Sequence, residues 1–113
     1  MQIIHAWDAQ EISTPHKVSS RKLMAYEHAL VVMLDLKPHE TLLPHITPVD
    51  VFFYILDGSG EVKIGDEVQP VKKDDVIFSP SGIVHLLRNT HENTNFRILV
   101  VKTPKPTSET KLL

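Results

Sequence analysis

Apolar residues in this chain come in short runs, each closed by turn residues, and the runs have strand length rather than helix length. Residues 29–36 are apolar and stop at Lys37-Pro38. Residues 51–56 are aromatic and β-branched and stop at Asp57-Gly58-Ser59-Gly60. Residues 61–68 alternate apolar and polar around Gly65-Asp66, the pattern of a hairpin. Residues 76–78 end at Ser79-Pro80, residues 95–102 make another strand, and residues 23–27 suggest one more. Closely spaced strands of this kind predict an all-β sandwich or barrel. The single helix signal, around residues 8–12, leaves room for one turn before Pro15. The chain reads as one domain over residues 1–113, with an N-terminal extension of about residues 1–20 and a Pro-rich tail of about residues 104–113.

Alternation makes a specific statement about residues 51–56. Val51, Phe53 and Ile55 share one face; Phe52, Tyr54 and Leu56 share the other. Both faces are apolar, so both are expected to be covered, one by the barrel interior and one by a second sheet or a partner subunit. A homodimer is the expectation that follows.

Composition narrows the function. With 113 residues there is material for one core. The net charge of -2 gives no basic field for nucleic acid or an anionic membrane. No apolar stretch is long enough for a spanning helix, and the start lacks a signal-peptide pattern, so the cytoplasm is the expected location. Cysteine is absent, which excludes disulfides, thiol catalysis and thiolate metal sites. Histidine is the unusual residue, with seven copies. His5, His16, His28 and His91 lie in polar surroundings and read as surface residues, whereas His39, His45 and His85 abut β-rich runs.

Two segments carry the chemistry: His45-Ile-Thr-Pro-Val-Asp-Val-Phe-Phe-Tyr-Ile-Leu-Asp-Gly58 and Pro80-Ser-Gly82-Ile-Val-His85-Leu-Leu-Arg-Asn89. Together they resemble the two motifs of the cupin superfamily, and the resemblance implies a double-stranded β-helix, or jelly-roll, barrel. Gly58, Pro80, Gly82, His85 and Asn89 fall at matching positions, and His45 matches the first histidine. The first-motif glycine is His39 here, and the second-motif glycine is Asp74.

The departures bear on function. The resemblance implies four metal-ligand positions, which here are His45, Thr47, Val51 and His85. Two imidazoles remain, while zinc and iron sites ordinarily use three or more protein ligands. Asp50 completes a set with His45 and His85 if a bulge after Pro48 turns it inward; strict alternation opposes that. A divalent transition metal (Fe, Mn, Ni or Zn) on His45, His85 and Asp50 is therefore one expectation. The other is a small molecule in the barrel, with Thr47, Phe53, Ile55 and His39 as ligand-binding residues. The favoured function is a small-molecule-binding barrel; the alternative is a metal-dependent enzyme of dioxygenase, isomerase or decarboxylase type.

Overall fold

The computed structural model describes residues 1–113. Ten strands form two antiparallel sheets: β1 (Ser19–Tyr26), β2 (Ala29–Leu36), β3 (His45–Ile46), β4 (Asp50–Asp57), β5 (Ser59–Ile64), β6 (Glu67–Lys72), β7 (Val76–Ser79), β8 (Val84–Arg88), β9 (Phe96–Thr103) and β10 (Lys111–Leu112). The first sheet has the order β1-β2-β9-β4-β7 and the second β10-β3-β8-β5-β6. The chain crosses between sheets after β2, β3, β4, β6, β7, β8 and β9, which makes a jelly-roll barrel. The one helical element is a 3-10 turn at Ala6–Asp8.

Alternation on β4 sets the interior. Val51, Phe53 and Ile55 are buried, whereas Phe52 keeps 37% of its surface exposed. The inward residues meet Leu34 and Leu36 of β2, Leu87 of β8, and Phe96, Ile98 and Val100 of β9 in one core cluster. Each such side chain contributes roughly 1.5–3 kcal/mol by leaving water. The outward face is covered only in part. Trp7 lies over the guanidinium groups of Arg97 and Arg21, 4.7 and 5.5 Å from its ring centre, and Met33 is buried nearby. At the other edge Val76 and Phe78 of β7 stay 63% and 61% exposed.

Turn chemistry fixes the corners. Gly58 has φ +79°, and a Cβ there would lie 2.3 Å from the Asn95 carbonyl oxygen, so both the dihedral and the space demand glycine. His39 and Asp74, at the two positions where the motifs carry glycine, keep the left-handed backbone with φ of 66° and 74°. Asn89 ties β8 to its neighbours: its Nδ2 donates to the carbonyls of Leu36 and Thr94, and its Oδ1 accepts from His91 N–H. The C-terminal segment returns to the barrel, where Lys111 pairs with Ile46 and Leu112 with His45.

Candidate functional site

Register brings the two motif histidines together. β3 and β8 are antiparallel with His45 directly opposite His85, so residues forty positions apart become cross-strand neighbours facing inward. Their rings meet edge to face at 4.4 Å between centroids, and Phe53 closes on His85 from β4 at 5.3 Å. Thr47, two residues after His45, falls on the same face and is buried. Its Oγ1 lies 3.2 Å from His85 Nε2, while Ser79 Oγ lies 2.6 Å from His85 Nδ1. A neutral imidazole has one donor and one acceptor, and a hydroxyl serves either, so His85 is satisfied at both nitrogens.

The backbone of Leu43 sets two more imidazoles. Its carbonyl accepts from His45 Nδ1 at 2.7 Å, and its N–H donates to His16 Nδ1 at 2.8 Å. His45 therefore carries its proton on Nδ1 and offers Nε2 as an acceptor, whereas neutral His16 offers Nε2–H as a donor. The His16 and His45 rings are 4.6 Å apart. Burial first, then the charges on His45 and Lys102, push His16 down to about 4. Burial, then His45, Lys102 and His16, push His85 down to about 3. Burial also lowers His45 against the raising effect of the Leu43 carbonyl bond, and burial lowers Lys102.

These groups form one end of a cavity of about 170 Å3 between the sheets. Val32, Leu34, Leu42, Val51, Phe53 and Val100 give it apolar walls; Thr14, Ser20, Lys22 and Lys102 join the imidazoles at its polar positions. Thr14 Oγ1 is buried there without a hydrogen-bond partner. Outside the cavity, a groove lined by His16, His45, Lys102, Pro106, Glu109 and Leu112 connects the mouth with the C-terminal segment. A pocket with apolar walls and a few convergent polar groups is suited to orienting a small molecule.

The other candidate residues divide. His45, His85, Thr47 and Phe53 come together at the cavity, whereas Ile55 is fully buried in the core and does not line it. His39 sits on an exposed turn between β2 and β3. Asp50 points outward, as alternation demands with Val51 buried, and its Oδ1 accepts from Ser81 N–H at 2.9 Å. It does not join His45 and His85. His16 corrects its reading as a surface residue: the segment before β1 folds back over the barrel mouth and aims it at His45. Lys102, Ser79 and Thr14 are further additions, and Lys102 was legible only as the inward-alternating member of β9 beyond Val100.

The donor set does not fit a metal. Thr47 and Val51 occupy two of the four expected ligand positions, both His85 nitrogens are engaged by hydroxyls, and no three His, Asp or Glu side chains are arranged to share an ion.

Comparison with known proteins agrees with the architecture. The family model described as Cupin domain matches residues 32–102. The polyketide cyclase RemF from Streptomyces resistomycificus superposes with a TM-score of 0.84 at 21% identity, over 100% of this chain and 85% of that one. A predicted oxalate decarboxylase from Thermotoga maritima superposes with a TM-score of 0.77 at 25% identity, over 99% of this chain and all of the other. A vicilin-like seed storage protein from Arabidopsis thaliana is 25% identical over 76 residues, which is 64% of this chain but 16% of that protein's length.

Proposed function

The chain belongs to the cupin domain family, and we propose that it binds a small molecule inside the barrel, with His16 and His45 as neutral polar anchors beside His85, whose nitrogens are already hydrogen-bonded. The observation that carries this reading is the cavity itself, apolar along its walls and polar where three imidazoles converge. Protein-observed NMR with a diverse fragment library tests it. Binding fragments are expected to shift the amides of Thr47, Phe53, His85 and Val100, and to lose affinity in Val100→Phe, which fills the space. A library without hits, or hits indifferent to the filled cavity, overturns the reading.

The second reading is a metal-dependent enzyme of dioxygenase, isomerase or decarboxylase type. In its favour, His45 and His85 stand side by side at two of the family's ligand positions. Against it, Thr47, Val51 and the outward Asp50 supply no third donor. Plasma mass spectrometry on untagged protein decides between them. Near-stoichiometric Fe, Mn, Ni or Zn that disappears in His85→Ala supports the enzyme; the proposal expects protein without stoichiometric metal.

A cytoplasmic homodimer belongs to the same proposal. No helix is long and apolar enough to cross a membrane. β7 ends its sheet with an unpaired edge and carries no charge, and Val76 and Phe78 beside Phe52 leave an apolar strip. Antiparallel pairing of β7 with its own copy obeys a two-fold axis, pairs the open edge and sets the two apolar strips side by side. Sedimentation at micromolar concentration is expected to give a dimer, and Phe78→Lys a monomer; a monomeric wild type refutes this part alone.

A further inference from the structure

We infer that the cavity takes the anion of a small carboxylic acid with an apolar tail and a hydroxyl beside the carboxylate. The inference rests on the small-molecule reading and names the class of ligand. The side chains lining the cavity include two lysines, Lys22 and Lys102, and no carboxylate. Lys102 is partly buried and forms no ion pair; the structure's ion pairs are Arg21–Glu11, His28–Glu27 and Arg88–Glu61. The one hydrogen bond of its ammonium, at 3.4 Å, goes to the neutral Thr110 hydroxyl. Glu109 lines the outer groove and not the cavity. A half-buried ammonium is costly unless a counterion reaches it.

Two further groups at that end want an acceptor. Thr14 Oγ1 is buried without a partner. His16, whose Nδ1 is taken by the Leu43 N–H, has a free Nε2–H. A carboxylate with its several lone pairs serves Lys102, His16 and Thr14 together. His45 Nε2 is an acceptor, because its Nδ1 donates to the Leu43 carbonyl, and it suits a hydroxyl beside the acid. The apolar walls then fix the tail. Lys22 is exposed, so Lys102 is the one partly buried ammonium at the cavity, and a single such charge among neutral imidazoles matches a monoanion better than a phosphate dianion. The volume, about 170 Å3, equals about five or six waters at roughly 30 Å3 each, so the acid is small.

The test compares acids with their neutral amides by calorimetry: mandelate against mandelamide, and 2-hydroxyhexanoate against 2-hydroxyhexanamide. At least one acid is expected to bind tighter than its amide by about tenfold or more. Lys102→Met, with folding checked by circular dichroism, is expected to bring acid down to amide, and Lys102→Arg to keep the preference. An amide as tight as its acid, or a preference unchanged in Lys102→Met, overturns the inference and leaves the small-molecule reading standing. Silence from all four compounds while library fragments bind also overturns it alone. Silence from compounds and fragments together removes both.

Discussion

His85 makes the protein sensitive to acid in a way one substitution isolates. Its ring is 2% exposed and held neutral between Ser79 and Thr47. Burial, His45, Lys102 and His16 push it down to about 3 from the 6.5 of a free imidazole. Below pH 6.5 the unfolded chain therefore takes up a proton that the folded chain refuses. Stability from this residue is complete above 6.5 and is lost as pH falls toward 3. At about pH 4.5 the gap is two pH units, which is about 2.7 kcal/mol at roughly 1.36 kcal/mol per unit. That is a large share of the 5–15 kcal/mol, roughly, that a domain of this size has. The comparison is wild type against His85→Gln, whose carboxamide keeps polar contact with the hydroxyls but does not titrate. Urea unfolding followed by circular dichroism is run at several pH values between neutral and about 4.5. The two proteins differ only at this residue, so the difference in slope reports on His85. The slope of wild type is expected to be steeper than that of His85→Gln by about one kcal/mol or more per pH unit. Parallel slopes refute the reasoning, because they mean that His85 takes its proton equally well folded and unfolded.

Two backbone positions give further outcomes. A Cβ on Gly60 would stand 2.3 Å from the Arg88 carbonyl oxygen and 2.7 Å from the Phe96 ring, and Phe96 is fully buried. Gly60→Ala is expected to cost about 1–3 kcal/mol by overpacking, read as a lower urea midpoint. His39→Gly is expected to do the opposite. Its side chain is exposed and its φ is 66°, so removing the Cβ relieves about 1 kcal/mol of left-handed strain, less glycine's entropy in the unfolded chain. A Tm unchanged or lower in His39→Gly refutes that assignment.

The strands the sequence announces are those whose whole length alternates or is uniformly apolar. β2 coincides with residues 29–36, and β4 extends residues 51–56 by one residue at each end. β6 runs on through Pro70, which an edge strand tolerates because one side needs no N–H. β1 starts earlier than its apolar part suggests, because Ser20 faces inward and a bulge between Lys22 and Met24 breaks the alternation. β3 and β10 have two residues each, and β8, with His85 buried and Arg88 exposed, looks like a connection. These three are specified by partners far along the chain, and no local pattern encodes that. The two strands that hold His45 and His85 are thus the ones least visible as strands, and the motif spacing located the histidines where propensity did not.

The same distinction runs through the site. His45, His85 and Thr47 were accessible because two short motifs fix them, and Phe53 because alternation does. His16 was not, since its place depends on one backbone bond to Leu43, 27 residues away, and on a segment without regular structure. Ser79 shows what the altered motif means physically. Val51 pairs with Ser79 across β4 and β7, and Thr47 lies two residues beyond His45. Where the family places a carboxylate and an imidazole, this chain has an apolar group and a hydroxyl, and a second hydroxyl closes the far side of His85. An imidazole whose nitrogens both face hydroxyls must give up a hydrogen bond before its lone pair can reach an ion. The two departures therefore do more than thin out a ligand set. They leave His85 a satisfied polar residue of the core, and His45 and His16, whose tautomers one peptide group holds in opposite senses, as the polar groups open to a ligand.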